Sequence, residues 1–434
     1  MSRFFSWPVL GLAAITIVTV FVLAQQSRDA MQVDANNGAL YPGQAQYPGG
    51  ASAPNQGAYS QDGGEQRRGG PTGPFYRLRW APIMDQYGFG QPVEAMRVLV
   101  PADWRVEGGV QWGPPTGCHQ NLVKAALRAS SADGASGLEL FTPYVWQWHD
   151  DPLNRQTVIE QSRYLQPAIR PCEMRPVMRA VDVIQQMVIP QYRSGARVVS
   201  TEPLPQLAQA RTQAMQAEYA AYIQAGAVSG VQADAGKVAI TYEVNGRPVE
   251  EWITGVVETA AQRAPSASGA YQGAITYVNS YTVRATALIA ARAPAGELQA
   301  KSRMYAAMVG SLRANPPWVG AVGTVIGSII KGEQMEVGKR IAIFRELSQQ
   351  TGDIITRAYA AQQETQARVA NAYSESVRGV ETYYDPHTRE SVQLTGGYRQ
   401  AWSNGRGEYI LSDDPNFDPS VALRENWTAM QRPR

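Results

Sequence analysis

An abrupt change of solvent preference near the start of the chain limits what can fold and where. Arg3 precedes an apolar run from Trp7 to Ala24 (WPVLGLAAITIVTVFVLA), and polar residues follow at once. The run approaches the length of the shortest bilayer-spanning helices, about 17 to 25 residues, and exceeds the roughly 7 to 15 of a signal-peptide core. Residues 1–30 therefore read as a signal anchor, with residues 4–24 as the transmembrane helix that meets the membrane. Val22-Leu23-Ala24 also ends the run in small residues that a signal peptidase reads, so cleavage before Gln25 is the alternative. Arg3 lies on the short side and no basic cluster flanks the exit, which puts the long C-terminal part across the membrane. The expected location is a single-pass protein of the bacterial inner membrane with its C-terminal part in the periplasm.

Residues 31–74 are rich in Gly, Gln, Pro and Ala and poor in aliphatics. Such a segment buries too little apolar surface to offset the entropy of ordering, so it reads as a disordered tether. A flexible coil of that length reaches on the order of 35 to 40 Å. Order is expected from Phe75. With 434 residues and 44% hydrophobic content, the remaining chain suffices for one large domain or two ordinary ones. A net charge of +2 without a basic stripe argues against nucleic acid as a partner. Cys118 and Cys172, both in proline-flanked loop contexts, form one expected disulfide in an oxidising compartment; two unpaired buried thiols are the alternative.

Short alternating segments with turn signals predict strands at Val93–Val100, at GGVQW, over Leu122–Ala129 and over Gly137–Phe141. Residues 151–225 change character and read as a helical insertion, with helices over Val177–Val188 and Pro203–Gln224 and a short strand between them. Strand patterns return at Lys237–Val244, Val249–Val257 and Tyr281–Ala291, and Asn245-Gly246 supplies the φ angles of a type I′ hairpin turn. A helix over 295–312 closes an α+β domain spanning 75–318, an antiparallel sheet with packing helices. GAVGTVIGSII, within a helical segment assigned to 319–378, is too short to span a bilayer and reads as a buried or interfacial turn. From 333 to 378 a long helix places Val337, Ile341, Phe344, Leu347, Ile354, Ile355 and Tyr359 on one broad face. Residues 379–434 read as a small β-meander and tail.

Pro101-Ala102-Asp103-Trp104, the SSADG turn feeding Leu138, Leu140 and Phe141, and the stretch YTVRATALIAARAPAGELQAKSRMYAAMVGSLRANPPW together resemble the Mog1/PsbP-like fold. The resemblance spans roughly residues 93–318, with 151–225 as an insertion. It implies a non-catalytic binding or assembly module, as in photosystem-associated PsbP proteins and exported bacterial DcrB-like proteins, and it names no ligand.

Catalytic and metal signatures are sparse. The three histidines, His119, His149 and His387, are far apart, and none sits in a zinc-binding spacing. Ser328-Ile329-Ile330-Lys331 matches S-x-x-K, but neither S-D-N nor K-T-G follows it. No G-x-S-x-G, P-loop or G-x-G-x-x-G occurs. Asp414, Asn416 and Asp418 begin like a calcium loop and Glu425 falls twelfth, making Ca²⁺ the only cofactor with a candidate set; yet Pro419 occupies the position that needs glycine, which favours Asx-type turns. Tyr144, Trp146 and Trp148 alternate and so share one face of a strand, next to His149. They read either as a binding strip or as core. Five of the ten tryptophans lie between residues 80 and 148, which favours core.

The functional expectation is a membrane-tethered envelope protein with a non-catalytic binding or assembly role, engaging an envelope protein or a second copy through 333–378. An envelope enzyme acting on peptidoglycan or other glycans, with Asp150 and Asp151 as acid and base, is a second class. Neighbouring residues on a strand point apart, which suits two carboxyls that must flank one bond poorly. A structural oligomer-forming scaffold is the third.

Overall fold

β-branched and alanine-rich alternation runs unusually long through the middle of the chain, and it yields strands to match: 15, 19 and 18 residues for the three that form the frame. The computed structural model describes residues 75–113, 118, 122–165, 170–330, 336–349 and 380–432. The anchor, the tether, His119, Lys331 and residues 350–378, with Ile354, Ile355 and Tyr359, lie outside the described residues. Among the described residues no helix is long and apolar enough to cross a membrane.

The first strands are β1 (Phe75–Asp85), β2 (Val93–Pro101), β3 (Arg105–Trp112), β4 (Val123–Ser130), β5 (Gly137–Leu140) and β6 (Tyr144–His149). Helix α1 (Pro152–Tyr164) and β7 (Glu173–Met174) lead to α2, residues 180–192, which contains a π-helical turn at Ile184–Val188. β8 (Arg197–Pro203), α3 (Pro205–Glu218) and α4 (Ala220–Gln224) precede the long β9 (Gly230–Val244) and β10 (Arg247–Pro265). After α5 (Ala267–Tyr271) come β11 (Tyr277–Pro294), α6 (Ser302–Gly310), β12 (Arg313–Ala314), α7 (Pro316–Ile330) and α8 (Val337–Gln349). The C-terminal part holds β13 (Val380–Tyr384), β14 (Ser391–Thr395), β15 (Gln400–Ser403), β16 (Glu408–Ser412), α9 (Pro419–Leu423) and β17 (Thr428–Ala429).

The protein is α+β, with its sheets antiparallel apart from the parallel β6–β7 pair. One sheet runs β3-β4-β5-β11-β10-β9-β8, with β6 pairing β11 beyond β5. The β9–β10 hairpin turns at Asn245-Gly246 as expected, with Arg247 opposite Val244 and positive φ at both turn residues. Gly236 and Gly255 face each other across this hairpin. A Cβ on Gly236 would meet Val181 at 2.5 Å, and one on Gly255 would meet Leu288 at 2.7 Å and Ile184 at 3.5 Å. The missing side chains let α2 lie close against the sheet, where Val183, Ile184 and Val188 join Val238, Ile253 and Val283 in one core.

The second sheet corrects the expected division of the chain. Its order is β12-β2-β1-β16-β15-β17, so β16 and β15 extend the sheet begun by β1, with Phe75 opposite Ser412. The C-terminal strands are therefore not a separate meander. Alternation divides this sheet's two faces. Ala81, Ile83, Met96, Val98 and Val100 face inward onto Leu138, Ala291 and Ala293 of the first sheet, joined by Met304, Tyr305 and Met308 of α6. Leu78, Leu99, Tyr409 and Leu411 face outward and are covered by the β13–β14 hairpin through Tyr383, Val392 and Leu394. From outside to inside, the layers are hairpin, sheet, sheet, helix.

The GAVGTVIGSII stretch is part of a helix, α7, rather than a turn. Its three glycines each cost about 1 kcal/mol relative to alanine. Burial outweighs that: Trp318, Val319, Val322, Val325 and Ile326 are fully buried, at about 1.5 to 3 kcal/mol for each large aliphatic side chain. Helix α8 packs beside it, with Ile343, Phe344 and Leu347 against this core and the Phe344 ring 5.1 Å from Phe89. Of the described part of the expected long-helix face, Phe344 and Leu347 thus pack within the chain, while Val337 at its start is exposed.

Candidate functional site

The aromatic strip divides by depth. Tyr144, Trp146 and Trp148 do share a face of β6, opposite Ala285, Val283 and Tyr281 of β11. Trp146 is buried and donates its indole N–H to the Pro176 carbonyl. Half-buried Tyr144 donates to Gln191, while the half-buried Trp148 ring lies 4.3 Å under the Arg155 guanidinium. The three rings thus pack against α2, the Pro176 segment and α1, not on an open platform. Burial, together with the positive Arg155, lowers the pKa of the adjacent His149 against the opposing pull of Asp151 and Asp150.

The carboxylates beside it are committed to structure. Asp151 is buried and caps α1, accepting from the Leu153 and Asn154 amides and from Ser268 Oγ–H, the Ser268 amide and Ser266 Oγ–H. Burial opposes ionisation there, but these donors outweigh it and hold the carboxyl well below the usual range. Asp150 accepts instead from the Tyr281 hydroxyl. Farther along, Asp414 accepts from the Asn416 amide, Asp418 caps α9 through the Ser420 amide, and Glu425 lies 3.2 Å from Arg77. Of the four calcium-loop candidates, Asp414, Asp418 and Glu425 are thus used in a turn, a cap and an ion pair, and Asn416 contributes its backbone amide to the turn. Among the described residues no group of three or more His, Cys, Asp or Glu converges on a metal position. Cys118 and Cys172 are joined by a disulfide, and together they pack on Val145 of β6.

The structure assembles a different site, on the outward face of the second sheet. Trp80 of β1, Arg97 of β2, Arg313 of β12 and Arg406 of the β15–β16 turn line one side of an opening of about 280 Å³. Thr388, Glu390 and Ser391 of the β13–β14 hairpin line the other. Strand alternation puts Trp80 and Arg97 on the same face, and both Arg97 and Arg313 stand over the indole, at 5.0 and 5.5 Å from its centroid. Arg313 also pairs with Glu390 at 3.0 Å and donates to the Ser391 carbonyl.

The floor and the hairpin wall are connected by buried polar contacts. Trp80 donates to the Tyr409 hydroxyl at 3.4 Å, and Tyr409 donates to Asp385 Oδ2 at 3.0 Å. Ser403 donates to the same oxygen, while the other oxygen of Asp385 accepts from the His387 amide. Burial, against the Trp80 bond and aided by the Asp385 charge, pushes the Tyr409 phenol up to about 12, so it stays a donor at neutral pH. The hairpin is thereby fixed over the sheet, and the cleft is open and preformed. Sequence reasoning missed these residues because they come from five separate stretches of chain. The strand pattern over Val93–Val100, which holds Arg97, and the turn signals at Asp385-Pro386 and Asn404-Gly405 are legible in the sequence, but their meeting is not.

No family model, curated protein or solved structure matches this chain.

Proposed function

We propose that this is a membrane-tethered protein of the bacterial envelope that works by binding, not by catalysis, and that its ligand sits in the cleft over Trp80. The observation that carries the reading is the cleft itself: arginines gathered over an aromatic floor, beneath a hairpin pinned by Asp385. Small-ligand sites are concave, largely preformed and supplied with a few convergent polar groups, as this opening is. The Cys118–Cys172 disulfide supports an oxidising compartment, and residues 4–24 support attachment to the inner membrane. The Mog1/PsbP-like resemblance points to the same non-catalytic class.

Two measurements test this reading on the full chain. Fractionation should place the protein with the inner membrane; recovery from the soluble fraction with a mature N-terminus at Gln25 would remove the tether. Native mass spectrometry of membrane-purified protein should show a bound species that is absent when Thr388→Trp, a change at an exposed lining position, fills the opening. An equal complement in parent and variant would remove the cleft as the binding site.

A further inference from the structure

Arg97 and Arg313 are direct cross-strand partners on β2 and β12, an arrangement of like charges that ordinarily destabilises a sheet. Both guanidiniums nevertheless converge over Trp80, and a third arginine, the exposed Arg406, belongs to the same lining. The lining holds one carboxylate against these three, Glu390, which reaches Arg313 from the hairpin while 57% of its own side chain stays exposed. The nearest other acid to Arg97 is Glu94, 3.9 Å away on the same strand and outside the lining.

We infer that the cleft is a site for a dianionic phosphate group, free or as a monoester, and that Glu390 occupies Arg313 as an exchangeable internal stand-in for it. This rests on the reading of the cleft as the ligand site. Arg97 and Arg313 over one indole, with Arg406 in the lining and Glu390 the lining's one carboxylate, suit a phosphate of about −1.5 to −2 at neutral pH better than a single carboxylate, although Glu94 beside Arg97 and Asp385 beneath Tyr409 offset part of the positive charge. Guanidinium presents paired N–H donors that suit the oxygens of such a group, and it is weakly hydrated enough to give up water on binding. Trp80 holds Arg97 and Arg313 in place through its ring face, so little ordering remains to be done. When phosphate enters, the Glu390 carboxylate leaves Arg313 for solvent, where its exposure already places much of it.

The test is calorimetric titration at pH 7.5 and low salt with inorganic phosphate, a simple phosphate monoester and acetate. Phosphate should bind, and Arg313→Gln and Arg406→Gln should each weaken it by roughly tenfold. Glu390→Gln should tighten it several-fold, because the internal competitor is gone; a purely structural Arg313–Glu390 pair would leave affinity unchanged or reduce it. Glu390 and Arg406 are exposed, so their variants test the site without threatening the core. If the monoester binds more tightly than inorganic phosphate, the ligand's organic part contributes; equal affinity assigns the site to the phosphate group alone. Acetate binding as well as phosphate, or a Glu390→Gln variant that binds no better than the parent, would overturn the inference. Loss of phosphate binding alongside a Thr388-sensitive ligand in the mass spectrum would reject the phosphate class while leaving the cleft's binding role intact.

Discussion

Replacing Glu258 by Gln probes the most buried charge network in the protein. Glu258 of β10 faces Arg284 of β11 as a direct cross-strand pair, and α3 lays Arg211 and Glu218 over them. Arg211 Nε–H donates to Glu258 Oε1 at 2.7 Å, Arg284 Nε–H donates to Oε2 at 3.0 Å, and Arg211 also reaches Glu218 at 2.5 Å. All four side chains are at most 8% exposed, and two positive charges meet two negative ones. Burial alone would raise the Glu258 pKa, but Arg211 and Arg284 outweigh it and hold the carboxyl at about 2 against an ordinary 4.5. At 1.36 kcal/mol per pKa unit, that difference is worth roughly 3 kcal/mol to the folded state. A glutamine amide presents one oxygen and one N–H₂, so in either orientation one arginine meets a donor, and the network is left with an uncompensated positive charge. Breaking a buried pair in this way costs about 3 to 5 kcal/mol. Because the folded-state pKa is depressed, this stability is complete above about pH 4.5 and is lost as pH falls toward 2. Urea denaturation at pH 7 should therefore show Glu258→Gln less stable by about 3 to 5 kcal/mol, and the gap should narrow between pH 4.5 and 2.5. A variant within 1 kcal/mol of the parent at pH 7, or a gap of constant size throughout that range, would refute the reasoning.

Three further outcomes are expected. Closing the 54-residue separation between Cys118 and Cys172 is worth about 4 kcal/mol in the chain-entropy model, so Cys172→Ser should lower the melting temperature; alkylation should find no free thiol in the non-reduced parent. Phe344→Asp places a carboxylate beside Phe89 and against the α7 core, at a cost of about 2 to 3 kcal/mol, and unchanged melting would show that this face is not packed as described. Gly88→Ala would bring a Cβ to 2.3 Å from both Asp85 Oδ2 and Trp112 Nε1, where buried Asp85 accepts from the Gly88 amide and from the Trp112 and Trp318 indoles. Thermal unfolding should show a loss of about 1 to 3 kcal/mol, and a variant as stable as the parent would mean that this junction yields freely.

Local chemistry makes part of this protein legible in the amino-acid sequence alone. The Asn245-Gly246 turn needs only two residues able to take positive φ, so it and its flanking strands follow from the sequence, as do the alternation that defines β2, β9 and β11 and the pairing of the two cysteines. Period-2 alternation likewise puts Tyr144, Trp146 and Trp148 on one face. It cannot say that α2 covers that face, because covering is a property of the partner element. The same limit explains the error over α7: three glycines argue against a helix in isolation, and only a surrounding core that buries Trp318 through Ile326 reverses the balance. Closure of the second sheet, where β1 meets β16 across most of the chain, has no local signature, since pairing at such separation is chosen by shared burial of both faces. The arginines over Trp80 follow from that closure. On the sequence they are scattered cations, each able to remain solvated alone, and only the pairing of β2 with β12 and the hairpin laid across them gathers their charge into one cleft.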